Sequence, residues 1–129
     1  MSPRSTHSVL VVDDAESNRY ALSRGLRAEG FQTVEAAAGA QALELAEYVS
    51  AVVLDVHLPD VHGFEVCRLL RGNPKTARVP IIHVSGVYVK DEHRVAGTRA
   101  GADAYLVSPV DTAELAVLID RLVTERAGG

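Results

Sequence analysis

Four short apolar runs recur along the chain, at 9–12, 51–54, 80–84 and 104–107, and 31–35 alternates well enough for a further strand. Each is followed by a segment with helical spacing, and that alternation leaves few folds open. A run of four or five apolar residues with little polar alternation reads as a strand buried on both faces, the habit of parallel sheets. The intervening segments place Ala21, Leu22 and Leu26; Ala42, Leu43, Ala46 and Val49; Gly63, Val66, Cys67 and Leu70; Val95, Ala96 and Ala100; and Leu115, Leu118, Ile119 and Leu122 on single helical faces. Gly30 closes the first helix, and Asp111 with Glu114 forms a capping box that opens the last. The pattern predicts an α/β fold of three layers, a five-stranded parallel sheet with helices on both faces.

The 129 residues suit one domain, predicted over 7–125. Residues 1–6 are expected to form a flexible segment, and 126–129 a flexible tail or the start of a linker. A net charge of -4 with no run of Lys or Arg argues against nucleic-acid binding by this domain. The single cysteine, Cys67, rules out an intrachain disulfide, suits a reducing compartment and reads as a packed thiol. No apolar run approaches the roughly 20 residues of a membrane span, and the polar residues 1–8 lack a signal peptide's apolar stretch. A cytoplasmic protein without membrane association is the expectation. No G-x-G-x-x-G follows the first run, so a dinucleotide-binding fold lacks its fingerprint.

The predicted strands end on polar residues: Asp13 and Asp14 after the first, Asp55 after the third, Ser85 after the fourth. In open α/β sheets, ligands bind beyond the carboxyl ends of the strands where strand order reverses. With order 2-1-3-4-5 the first and third strands are neighbours, which brings Asp13, Asp14 and Asp55 into one pocket. Carboxylates that close repel one another unless a cation or a proton intervenes. Mg²⁺ is the natural cation, and an aspartate beside it can act as a nucleophile toward phosphorus. The Ser85 hydroxyl and backbone N–H groups near His57 and Gly86 would donate to phosphoryl oxygens. Taken singly, each of these residues is explained as a helix cap in a βα loop; together on one edge they favour a site.

The five histidines, His7, His57, His62, His83 and His93, show no metal-ligand spacing such as H-E-x-x-H. His83, inside an apolar strand, reads as a hydrogen-bonded and partly buried side chain, whereas His57 is placed to overhang the pocket mouth. Val87, Tyr88 and Val89 form an apolar stretch that suits a contact surface. Tyr20 and Tyr48 need no role beyond packing.

Several separated blocks carry a resemblance over residues 7–125: Val9-Leu10-Val11-Val12-Asp13-Asp14; Asp55-Val56-His57-Leu58-Pro59-Asp60 with Gly63; Pro80-Ile81-Ile82 through Ser85-Gly86; and Gly101-Ala102-Asp103-Ala104-Tyr105-Leu106. In order and spacing they resemble the receiver domain of two-component response regulators. The resemblance implies a flavodoxin-like fold, with Asp55 as phosphoacceptor. It implies Asp14, Asp55 and the His57 backbone carbonyl as Mg²⁺ ligands, and Asp13 acting through a water on the metal. Ser85 matches the family's switch hydroxyl residue and Tyr105 its switch aromatic. The implied partners are a sensor histidine kinase or histidine phosphotransfer protein and a downstream protein or attached effector domain, with a homodimer possible. On this reading the chain is a signalling module, not an enzyme. Ser108-Pro109 matches a position where the family often has a cis bond.

The resemblance fails at one position. Ser108 stands where the family usually has a Lys, and a short hydroxyl cannot replace a reaching ammonium. Lys75 or Lys90 would have to reach in from a neighbouring loop. The departure motivates an alternative, a pseudo-receiver that binds partners with impaired phosphate switching. A third reading, a Mg²⁺-dependent phosphatase with an aspartate nucleophile, lacks an obvious Lys near the phosphate.

Overall fold

The computed structural model describes residues 3–86, 95 and 100–128. Strands β1 (Ser8–Val12), β2 (Gln32–Ala36), β3 (Ala51–Asp55), β4 (Ile81–Ser85) and β5 (Ala104–Val107) form one parallel sheet in the order β2-β1-β3-β4-β5. The described helices are α1 (Glu16–Ala28), α2 (Gly39–Leu45), α3 (Gly63–Gly72) and α4 (Thr112–Gly128), with short 3₁₀ turns at Arg4–Thr6 and Ala46–Tyr48. The expected strand order is the one found. Val95 is helical and about half exposed. Ala100 and Gly101 form a turn, and the remaining residues of the predicted helix between β4 and β5 lie outside the described residues, as do Val87, Tyr88, Val89, Lys90 and His93.

The sheet is covered on both faces, which is why β1, β3 and β4 read as continuous apolar runs. Val9, Val11, Val53, Ile82 and Val84 face one way and pack with Leu26, Leu115 and Ile119 of α1 and α4. Leu10, Val12, Val52, Leu54 and Ile81 face the other and pack with Ala42, Val66 and Leu70 of α2 and α3. Each such side chain, fully withdrawn from water, contributes about 1.5–3 kcal/mol, and these two layers hold the sheet edge in place.

The boundaries differ from expectation where tertiary contacts override the local pattern. Gly30, at φ 104°, turns the chain out of α1, and the Phe31 N–H closes on Leu26 O at 3.1 Å. Phe31 thus ends the turn, and β2 begins one residue later. The helical spacing over 42–49 is broken after Leu45, where a 3₁₀ turn tightens the chain before β3. Long-range bonds reach described residues near both ends of the sequence. The Arg4 guanidinium bonds the Asp120 carboxylate, at 2.7 Å in the shortest contact, and Glu29 O at 2.8 Å. Helix α4 runs past residue 125 to Gly128, because Arg126 bonds Arg78 O at 2.8 Å and the Asp103 carboxylate. Among the described residues no helix is long and apolar enough to cross a membrane.

Candidate functional site

Strands β1 and β3 are neighbours, so their carboxyl ends deliver Asp13, Asp14 and Asp55 to one point. One carboxylate oxygen from each lies within 4.8 Å of the others. Local bonds fix two of them. The Asp13 N–H continues the ladder to Ala36 O at 3.1 Å, and its Oδ1 accepts from Ala15 N at 2.9 Å. Asp55 ends β3 opposite Val84. Asp13 and Asp55 are half-buried and Asp14 is exposed.

The crowding has an electrostatic signature. Burial, then the charges of Asp13 and Asp14, push the Asp55 carboxyl up to about 6, although the His57 and Val56 N–H groups oppose this. Asp13 is also raised, chiefly by burial with a contribution from Asp14, against the Ala15 N–H and Arg19. Three hard oxygen donors held this close, with Asp13 and Asp55 destabilised as anions, fit a small hard divalent cation such as Mg²⁺.

The cluster opens into a cleft of about 520 Å³. Its walls are the three aspartates, His57, Val84 and Gly86, α1 residues such as Asn18 and Leu22, and the Ser108, Pro109, Val110 loop. Ser85 is buried, and the residues on either side of it form that wall. Its carbonyl accepts from Ser108 N at 2.8 Å, which ties the β4 end to the β5 loop. The Ser108–Pro109 bond is cis, as the resemblance suggests. Tyr105 is not part of the cleft. It stands opposite His83 in the β4–β5 register, and its ring lies 5.9 Å from that of His83 and 6.2 Å from that of Phe64.

No Lys or Arg of the described residues lines the cleft. Lys75 does not reach it: its Nζ lies 3.7 Å from Glu47, which leads into the opposite, amino edge of β3. Among the described residues, the Arg19 guanidinium acts on Asp13, a role that the sequence reading missed. Its Nη1 bonds Asp13 O at 2.8 Å and its Nε bonds Glu35 at 3.1 Å, so it supports the Asp13 backbone.

Three further residues position the site in roles that the sequence reading did not assign. Gly63 opens α3 with its N–H on Val56 O at 2.7 Å, and a Cβ there would stand 2.4 Å from Asp55 O. Asp60 accepts from Gly39 N at 2.8 Å and Ala40 N at 2.9 Å, which pins the loop after Asp55 to the start of α2 and holds its carboxyl below the usual range. His62 caps α3 through Nδ1, which accepts from Phe64 N at 3.2 Å. Nothing in the local pattern marks this role for Asp60, whose partners Gly39 and Ala40 begin a helix far earlier in the sequence, or marks Arg19. His83 is fully buried, as its apolar strand implied, with Nδ1 3.2 Å from Leu54 O. Cys67 is buried and free, its thiol pushed up to about 11 by burial.

The comparison with known proteins agrees with this geometry. The sequence profile of the response regulator receiver domain matches residues 9–120. The transcriptional regulatory protein PrrA of Mycobacterium tuberculosis is 41% identical over 97% of this chain, which spans 52% of PrrA. The polar-differentiation response regulator DivK of Brucella ovis is 32% identical over 81% of this chain and 86% of its own length. The chain thus spans about half the length of PrrA and most of the length of DivK. A putative response regulator from Chloroflexus aurantiacus superposes with a TM-score of 0.85 at 30% identity, over 92% of this chain and 98% of that one. The receiver domain of sensor histidine kinase PA1611 from Pseudomonas aeruginosa, which has a magnesium ion coordinated in its active site cleft, superposes at 0.82 with 29% identity, over 92% and 98%. With this fold, this strand order and this match over most of its length, the chain belongs to the response regulator receiver domains of two-component systems.

Proposed function

We propose that the domain receives a phosphoryl group on Asp55 in a two-component phosphorelay, with Mg²⁺ held by Asp13, Asp14, Asp55 and the His57 backbone carbonyl. One observation carries this reading: three carboxylates converge within 4.8 Å at the mouth of an open cleft. Asp55 is assigned as the nucleophile. It lies at the end of the central strand β3, half-buried, with the other two acids beside it. An Asp55 oxygen attacks phosphorus as the bond from phosphorus to the donor's imidazole nitrogen breaks, and the imidazole keeps the electron pair. Only the ionised carboxylate attacks, and a group pushed up to about 6 is mostly ionised at neutral pH. Mg²⁺, when bound, offsets charge on the phosphoryl oxygens. Asp14, the exposed member, is the ligand most open to a cation from solvent, and Asp13 acts through water. The Ser85 hydroxyl is assigned to a phosphoryl oxygen and Tyr105 to the switch.

The donor is a sensor histidine kinase or a histidine phosphotransfer protein in the cytoplasm. The output passes to a downstream protein or an attached effector domain, since relatives such as PrrA are about twice as long. The role is that of a signalling module, not a turnover enzyme. A second reading has one observation in its favour: Ser108, not a cation, lines the cleft. On that reading the domain is an interaction module whose surface does not follow phosphorylation.

The metal assignment has a direct test. Calorimetric titration with Mg²⁺ is expected to show one site in the wild type. Asp14→Ala is expected to weaken it about tenfold or more, a loss of about 1.4 kcal/mol. Unchanged affinity in that variant would contradict the assignment.

A further inference from the structure

Five rings stand in series from the cleft mouth to β5. His57, which lines the cleft, meets His62 at 5.8 Å between centroids. His62 meets Phe64 at 4.8 Å, and Phe64 meets His83 at 5.1 Å. Phe64 and His83 both touch Tyr105, at 6.2 and 5.9 Å. The last three therefore form a closed triangle of mostly edge-to-face contacts, the favourable geometry for such rings.

The triangle is tied to the phosphoacceptor strand at two points. His83 bonds Leu54 O, one residue before Asp55. Phe64 follows Gly63, which abuts Asp55 O and bonds Val56 O at 2.7 Å. Neither tie is soft, one being a buried hydrogen bond and the other a contact that has no room even for a Cβ. A displacement of the backbone at 54–56 therefore moves two of the three rings, and packed clusters answer such shifts by repacking, not by yielding smoothly.

His83 carries a second peculiarity. A carbonyl only accepts, so the bond to Leu54 O puts the proton on Nδ1 and leaves Nε2 a bare acceptor. That Nε2 is fully buried and has no hydrogen-bond partner among the described residues. Burial also lowers the pKa of the ring to about 4, so the imidazole is neutral at physiological pH. Of its two ring neighbours, Phe64 has no donor and Tyr105 has one.

We propose that the Phe64–His83–Tyr105 cluster carries occupancy of the Asp55 pocket to β5, with His83 as the positioning residue. The unpaired Nε2 favours a second packing in which the Tyr105 hydroxyl donates to it. This route needs no cation at position 108. It rests on the reading of Asp55 as the phosphoryl site, and it deepens that reading by naming how the site reaches the surface.

The test is amide NMR of the chain with Mg²⁺, before and after addition of beryllofluoride as a phosphoryl mimic. In the wild type, shifts are expected at Val56, beside the pocket, and at Tyr105. His83→Met keeps an apolar volume but removes the Leu54 bond and the stranded acceptor; Phe64→Leu removes a ring without touching His83. Both variants are expected to keep the Val56 shift while the Tyr105 shift falls to less than about half. A merely structural role would lower stability without changing the ratio of the two shifts. A full Tyr105 shift in both variants overturns the proposal. So does a wild type that responds at Val56 alone, the outcome that favours the interaction-module reading. A wild type with no response at Val56 overturns the Asp55 reading and the coupling together. Should one variant fail to fold, the other decides.

Discussion

Asp55→Asn is expected to abolish phosphoryl uptake and, without Mg²⁺, to make the domain more stable at neutral pH. The first effect follows from the nucleophile, because an amide is a poor nucleophile toward phosphorus. The second follows from the pKa. In the fold the Asp55 carboxyl sits at about 6, pushed up by burial and by Asp13 and Asp14. In the unfolded chain it returns to about 3.9. Between those values the folded state binds more protons than the unfolded one, so stability falls as pH rises through the window. The penalty is absent below about pH 4 and complete above about pH 6. For a half-buried group partly screened by solvent it amounts to on the order of 1–2 kcal/mol. Asn carries no charge and escapes it. Urea unfolding of the two proteins in EDTA is expected to show Asp55→Asn ahead at pH 7.5 and the two converging near pH 4. A wild type equal to or above the variant at pH 7.5 would mean that the aspartates do not strain one another.

Gly63→Ala is expected to be the most damaging single-methyl change near the site. The added Cβ would stand 2.4 Å from Asp55 O and 2.8 Å from Val56 Cα, with Val56 O at 3.1 Å. All three are backbone atoms, so no side chain can swing aside. Either α3 lifts off β3, which costs the packing of Val66 and Leu70, or the strand end moves and takes Asp55 with it. The expected loss is on the order of 3 kcal/mol or more. Gly72→Ala is the internal control, because nothing lies within 4 Å of its Cβ. Ala at that helix position is expected to be neutral or to stabilise by up to about 1 kcal/mol. Chemical denaturation of both variants checks the contrast. A Gly63→Ala protein within about 1 kcal/mol of wild type would show that the α3–β3 contact is not rigid.

The fold was readable because its strongest signal is local. Strands such as 9–12 and 51–54 are apolar on both faces, and only a sheet covered by helices on both sides accommodates that. The three aspartates were readable for a related reason. Each ends or follows a buried run, so the strand order alone brings them together. What was not readable depends on side chains meeting across long separations. Arg19 supports Asp13 through a backbone carbonyl, and Asp60 caps a helix 20 residues earlier in the chain. Arg4 finds Asp120 and Arg126 finds Asp103, pairings that no local pattern announces. His83 illustrates the boundary. Its burial followed from its strand, but its unpaired nitrogen and its place among the rings of Phe64 and Tyr105 required the packing.

The central claim is that Asp55 is the Mg²⁺-dependent phosphoacceptor, and mass spectrometry of the wild-type chain after incubation with acetyl phosphate tests it most directly. With Mg²⁺, one phosphoryl group is expected on the intact protein and, after proteolysis at low pH, on the peptide that contains Asp55. With EDTA in place of Mg²⁺, the label is expected to be absent. No label with Mg²⁺, a label on another peptide, or equal labelling in EDTA would contradict the account.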